Sequence, residues 1–196
     1  MQHYFTNNES LKSEFRNIVY KYNTYEFNFL SDNGVFSKDR IDYGSKALLE
    51  AYLELEGEGK EVLDLGCGYG LLGIVISKVK NSKVLMADIN KRAVHLTNKN
   101  IESLKANCEA VVSDAYENVE GKFDSIITNP PIRAGKDKVL EILLNAKDYL
   151  NEDGNLYYVI RKDQGAKSIT KALEEVYNVE LIKKDKGFYI YKAYKK

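Results

Sequence analysis

Val62-Leu63-Asp64-Leu65-Gly66-Cys67-Gly68-Tyr69-Gly70 decides the fold. A short apolar run enters a turn with glycine at every second position, and a helical stripe of Leu71, Leu72, Val75 and Val79 follows. Glycine adopts positive φ without steric cost and lets the backbone approach a ligand closely. The helix start adds unpaired N–H groups and a partial positive charge. A buried strand, a tight turn and a helix N-terminus are therefore expected, with a ligand site at the strand's carboxyl end.

The same alternation continues outward. Apolar runs at 84–87, 110–112, 123–127 and 156–160 alternate with helical stripes. Those stripes are Val94, Thr97, Ile101 and Leu104; Val139, Ile142, Leu143, Ala146 and Leu150; and Ile169, Ala172, Leu173 and Val176. Strands alternating with helices of this length predict an α/β Rossmann-like fold, a mostly parallel twisted sheet with helices on both faces. Residues 178–183 and 187–194 read as a C-terminal antiparallel hairpin turned at Lys186-Gly187. Upstream, 14–31 reads as another hairpin, broken at Tyr22-Asn23-Thr24-Tyr25, and Leu48, Leu49, Tyr52 and Leu53 mark a helix from Asp42. The expected organisation is an N-terminal hairpin extension at 1–35 and one compact unit at 36–196.

Composition suits a globular domain. In 196 residues, 44% are hydrophobic and 30% charged, only two are proline, and 29 Lys/Arg balance 29 Asp/Glu. That balance excludes a general polyanion binder. Residues 1–128 carry 15 basic against 19 acidic side chains, a net of −4, and 129–196 carry 14 against 10, a net of +4. Cys67 and Cys108 have neither metal nor redox spacing, so no metal is expected, and His3 and His95 show no partner pattern. Without a signal-like segment or an 18-residue apolar run, neither secretion nor a membrane span is expected, and the cytoplasm is the default location.

The glycine turn alone leaves two ligands open. Gly68-Tyr69-Gly70-Leu71-Leu72-Gly73 satisfies the dinucleotide pattern, and Asp88 lies 20 residues beyond Gly68. Against a dinucleotide stands Asp64, two residues before the first glycine, where a carboxylate would repel a pyrophosphate yet hold a cationic amino-acid group. Asp88 closes the next strand in Asp88-Ile89-Asn90, placed to accept from ribose hydroxyls or to cap the helix starting near Lys91; Asn90 can take the cap instead. Asp114, beside Ala115, can accept from an adenine amino group or cap the short helix after it.

Thr128-Asn129-Pro130-Pro131-Ile132 ends the next strand, since proline cannot donate to a sheet. Termination does not require Asn before two prolines. Transfer to an exocyclic amine does need acceptors. An Asn side-chain carbonyl and a Pro backbone carbonyl can hold the two amino hydrogens and turn the lone pair out of conjugation.

These two motifs together resemble class I S-adenosylmethionine (SAM) dependent N-methyltransferases. Gly34-Val-Phe-Ser-Lys-Asp-Arg-Ile-Asp-Tyr-Gly-Ser45, the opening His3-Tyr-Phe5, and Asn129-Pro-Pro-Ile-Arg-Ala-Gly-Lys136 narrow the likeness. They resemble the small-ribosomal-subunit RNA guanine-N2 methyltransferases of the C type, over nearly the whole chain. The resemblance implies that Phe36, Asp64, Gly66, Cys67, Gly68 and Gly70 bind the cofactor with Asp88, Ile89, Asn90, Asp114 and Ala115. It implies catalysis by Asn129, Pro130, Pro131 and Ile132, and ribosomal RNA or the small subunit as partner. Arg133 and Lys136, past the tetrad, are expected to meet RNA phosphates or to be plain loop charges; Arg161 and Lys162 share that alternative. Two departures stand out. The larger bacterial members carry an extra N-terminal domain, so a single-domain form is expected here. Many amino-methylating relatives place an aromatic where Ile132 stands, which leaves Phe36 to stack on a base or, alternatively, to contact the core or the SAM adenine. Protein glutamine methylation, a nicotinamide oxidoreductase and a non-catalytic binding module are the competing functions.

Overall fold

The computed structural model describes residues 10–196; the His3-Tyr-Phe5 segment lies outside them. Nine strands and five helices are present there: β1 Arg16–Tyr22, β2 Tyr25–Ser31, α1 Tyr43–Leu55, β3 Glu61–Leu65, α2 Leu71–Val79, β4 Lys83–Asp88, α3 Lys91–Leu104, β5 Cys108–Val112, β6 Phe123–Thr128, α4 Lys136–Asn145, β7 Leu150–Arg161, α5 Ala166–Leu173, β8 Tyr177–Asp185 and β9 Phe188–Lys195. The seven-stranded sheet runs β5-β4-β3-β6-β7-β9-β8, parallel from β5 to β7, with β9 inserted antiparallel between β7 and β8. Among the described residues, no helix is long and apolar enough to cross a membrane.

Strand alternation divides the core in two. Val62, Val84, Met86 and Ile127 pack on one face with Leu48 and Tyr52 of α1, Ile74 and Val75 of α2, and Leu96 of α3. Leu63, Leu65, Ile126 and Leu156 point to the other face, against Val139 and Leu143 of α4 and Ile169 and Leu173 of α5. Both faces of the central strands are covered, which explains their apolar runs.

β1 and β2 form a separate antiparallel sheet turned at Asn23, whose φ of +52° suits a tight hairpin. It is no loose appendage. Ile18, Tyr20, Phe27 and Phe29 join the first core, and the Phe29 ring lies 5.6 Å from that of Tyr69 in the glycine turn. Asn100 of α3 couples the two: its Nδ2 donates to the Tyr69 carbonyl at 2.7 Å and the Leu30 carbonyl at 2.9 Å.

The chain fills the sheet outward from β3 to β5, then returns to start β6 on the other side of β3. This reversal leaves a crevice above the paired ends Leu65 and Thr128, and both sequence motifs begin there.

Gly73 allows α2 to lie directly on β4. A Cβ at that position would sit 2.3 Å from Met86 Sδ, 2.7 Å from Met86 Cγ and 3.1 Å from Asp64 Oδ2. Alanine normally gains up to about 1 kcal/mol over glycine in a helix. Here overpacking in a closed core wins, so Gly73→Ala should destabilise by roughly 1–3 kcal/mol, measured as a lower urea midpoint at unchanged slope.

Candidate active site

A two-armed cleft opens at the crevice, its arms meeting at Gly66 and Asp88. The narrower arm, about 60 Å³, lies under the Val35–Ser37 loop and is walled by Asp42, Ser45, Gly68, Asn90 and Asn129. The wider arm, about 310 Å³, is mostly apolar, with Leu65, Ala87, Ile89, Ala115, Pro131 and Ile142 around Asp114 and Lys138.

The glycine turn is held from within by two carboxylates. Asp64 shares the face of β3 that α2 covers, because side chains two apart on a strand point the same way as Val62. Its Oδ2 accepts from the Gly73 N–H at 2.9 Å, satisfying an open donor in the first turn of α2. Asp88 Oδ2 accepts from the Gly68 N–H and its Oδ1 from the Asn90 N–H, both at 2.9 Å. Burial raises the Asp64 carboxyl to about 7, countered by the Gly73 bond and reinforced by Asp88. Burial likewise raises Asp88 to about 6, against its two backbone bonds. The Cys67 thiol is pushed well above its usual value by burial and both carboxylates, so it stays protonated on the narrow arm's wall.

Asn129 follows β6 and is oriented by residues far away in sequence. Its Nδ2 donates to Asp42 Oδ2 at 3.1 Å and to Ser45 Oγ at 2.9 Å. A carboxylate can only accept, so the NH2 group must face Asp42, which leaves Oδ1 as the acceptor Asn129 offers. Asp42 is itself rigid, because the same Oδ2 caps α1 by accepting from the Ser45 N–H at 2.9 Å. Neither Asp42 nor Ser45 was singled out by the motif reading; an acid three residues before a serine at a helix start looks like an ordinary cap.

Phe36, Gly66, Cys67, Gly68, Asp88, Asn90 and Asn129 line the narrow arm, and Gly66, Asp88, Ile89, Asp114, Ala115 and Pro131 the wide one. Asn90 takes the α3 cap, accepting from the Arg92 and Ala93 N–H groups, and its Nδ2 holds the Gly34 carbonyl at 2.9 Å. Phe36 is 40% exposed at the cleft mouth.

Three of the expected site residues lie away from the cleft. Asp64 is 0% exposed and lines neither arm, because β3 turns it into the core beneath the turn. Gly70 also lies off the cleft: it starts α2 at φ +100°, where a Cβ would stand 2.9 Å from Ile74 Cδ1. Ile132 packs against the second core and faces neither arm. Asp114, expected at the adenine or as a cap, lines the wide arm and pairs with Lys138 at 3.0 Å. Pro130 is buried, and its carbonyl accepts from the Ile132 N–H at 2.9 Å with one lone pair to spare. Arg133 and Lys136 are exposed and line neither arm.

The family described as methyltransferase small domain matches residues 26–192. This chain belongs to it. A Bacillus subtilis member, YbxB, itself described as uncharacterized, is 42% identical over 199 residues, covering 99% of this chain and 98% of that one. Ribosomal RNA small subunit methyltransferase C of Haemophilus influenzae is 40% identical over 131 residues, 64% of this chain and 39% of the relative. Among solved structures, the Thermus thermophilus 16S rRNA N2 G1207 methyltransferase, in complex with AdoMet and guanosine, superposes with a TM-score of 0.85 at 26% identity, over 95% of this chain and 52% of that one. The chain thus spans about half or less of the length of these two named methyltransferases.

The buried Asp64 and half-buried Asp88 carboxyls have a signature in stability. Each takes up a proton more readily in the folded state, its value raised from 3.8 to about 7 in Asp64 and about 6 in Asp88. Their contribution is fully present below about pH 4 and is lost as pH rises through those folded-state values. Asp64→Asn cannot ionise, so from pH 4 to 8 the parent should lose stability relative to it, on the order of 2–4 kcal/mol. Urea unfolding of both proteins across that range measures the difference; a constant gap would show that Asp64 does not titrate there.

Proposed function

We propose that this protein transfers the methyl group of S-adenosylmethionine to the exocyclic N2 of a guanine in small-subunit ribosomal RNA. The observation that carries this reading is the oriented Asn129 amide. With Nδ2 committed to Asp42 and Ser45, its Oδ1 is fixed as an acceptor for an amino hydrogen on the wall of the narrow arm. The Pro130 carbonyl, next along the chain, has a lone pair for the second hydrogen.

The cleft fits SAM better than a dinucleotide. A pyrophosphate needs the N–H groups of the glycine turn, but Gly68 N–H is taken by Asp88 and Gly73 N–H by Asp64. The Asp88 carboxylate, which lines both arms and ionises above about pH 6, repels a polyanion and suits a ligand with cationic and hydroxyl groups. Asp88, at the junction of the arms, is placed for the ribose hydroxyls. The apolar arm suits the adenine ring, with Asp114 at its edge, and the polar arm suits the amino-acid portion. SAM supplies an electrophilic methyl on a sulfonium. The protein's own work is to orient the amine through Asn129 and to exclude water under the Val35–Ser37 loop. No strong base is required, since an N-methylated ammonium is acidic. The name and the AdoMet and guanosine complex of the T. thermophilus relative support the same reading, as does the name of the H. influenzae relative.

Asn129→Ala removes a preorganised acceptor that matters most in the transition state. Single-turnover methyl transfer to ribosomal RNA should slow by roughly 10²–10³-fold, about 2.7–4 kcal/mol, while SAM affinity holds. Turnover within a few-fold of the parent would make the tetrad structural. For the cofactor, SAM and not NADH should raise the melting temperature. Because an ionised carboxylate accepts hydroxyl hydrogens better than a neutral one, SAM affinity should tighten as pH rises through about 6, where Asp88 loses its proton, and then level off. Calorimetric titration from pH 5 to 8 should show this for the parent, and a weaker, flat profile for Asp88→Asn.

A further inference from the structure

The rim beside Asn129 carries a second set of groups that the methyl-transfer chemistry does not use. The tip of the β8–β9 hairpin is fastened against the start of α1 and the end of β7. Tyr43 donates its hydroxyl to Asp185 Oδ2 at 2.8 Å, and the Lys162 N–H donates to the Gly187 carbonyl at 2.9 Å. Gly44 lets the Phe188 ring press onto α1, since a Cβ there would lie 2.7 Å from the ring. Tyr43 directly follows Asp42, the residue that holds Asn129. The hairpin tip is thus fixed one residue from the network that aims the acceptor amide.

Basic side chains and ring faces alternate along this tip. Lys186 Nζ stands 4.7 Å over the Tyr43 ring, Arg161 lies 5.5 Å over Phe188, and Lys184 Nζ is 5.1 Å over Tyr189. Lys162 and Lys183 are exposed beside them. The nearby acids are engaged locally, Asp185 by Tyr43 and Asp163 by Arg161 at 3.1 Å. These rings are half-buried, and cations resting on their open faces are weakly held and can swing to phosphates, uncovering π-faces for unstacked bases.

Resting on the reading of the substrate as RNA, we propose that the β8–β9 tip and the end of β7 form a clamp for the single-stranded RNA flanking the target guanine. Lys184, Lys186 and Lys162 take backbone phosphates, and Tyr43 and Phe188 offer ring faces to a neighbouring base. An acidic protein would need the charges but not the rings, and duplex RNA would offer no unstacked base to them.

The test measures binding of a short single-stranded RNA carrying a central guanine over a range of salt concentrations, together with SAM affinity and methyl transfer, for the full chain. Variant K184A/K186A removes two proposed phosphate contacts. Variant K122A/K147A removes two exposed lysines near the amino ends of β6 and β7 as a charge-matched control. The expected result is a salt slope shallower by about 1.4 in K184A/K186A, at about 0.7 per contact. SAM affinity and melting temperature should hold in both variants, and the control should keep the parent's slope. An unchanged slope in K184A/K186A, an equal loss in the control, or displacement of the RNA by polyglutamate as effectively as by unlabelled RNA of equal charge would overturn the clamp. A parent that transfers no methyl to guanine-bearing RNA, yet binds it with a slope that K184A/K186A reduces, would leave the clamp standing and remove the reaction.

Discussion

The site depends on two carboxylates that reach into the glycine turn from the strands beneath it. Asp64 on β3 holds Gly73, and Asp88 at the end of β4 holds Gly68. These bonds fix where α2 begins relative to the sheet, and so where the cleft lies. They also set its electrostatic character. A turn whose donors are already committed to carboxylates cannot cradle a pyrophosphate, although its glycine spacing would allow one. The cost is desolvation. Asp64 Oδ1 has no partner, and both carboxyls hold their protons to unusually high pH. The wide arm starts at Gly66 and Asp88, and its apolar lining follows from the alternation of Leu65 and Ala87 toward the second core.

Helix capping does double duty around the cleft. Two helices, α1 and α3, begin at the cleft, and their capping residues stand where a ligand would sit. Asp42 caps α1 and orients Asn129 with one oxygen. Asn90 caps α3 with its carbonyl and anchors the Gly34 carbonyl with its amide, which draws the Val35–Ser37 loop over the narrow arm. Each cap therefore ties backbone stability to the position of a cleft wall, and a substitution at either is expected to move both together.

The N-terminal hairpin belongs to this arrangement as well. Phe29 packs on Tyr69 between two glycines of the turn, and Asn100 bonds both segments. Glycines alone would leave that turn loose; a buried tyrosine at its centre, clamped from β2 and α3, holds its shape. The family match begins at residue 26, inside β2, in keeping with a hairpin that is built into the core.

Much of this was legible in the sequence, for a local reason. Period-two and helical apolar patterns come from burial on sheet faces and helix stripes, so β3 to β9 and α1 to α5 could be placed, with ends off by a few residues; β7 runs from Leu150, six residues earlier than its apolar run. Glycines and prolines marked the turn and the tetrad because their backbone limits are intrinsic. Direction and pairing were not local. Whether Asp64 faced the cleft or the core depended on which face of β3 α2 covers, and the partner of Asp114 lay on α4. Ile132 was read from a motif, yet the chain's course after two prolines turned it onto the second core. Asp42 and Ser45 looked like a helix cap, and only tertiary packing brought them 87 and 84 residues along the chain to Asn129. The sequence by itself determined the alternation of elements and the chemistry on offer at two turns. The tertiary structure alone decided which polar groups are spent on one another, because a hydrogen bond depends on distance in space and not along the chain.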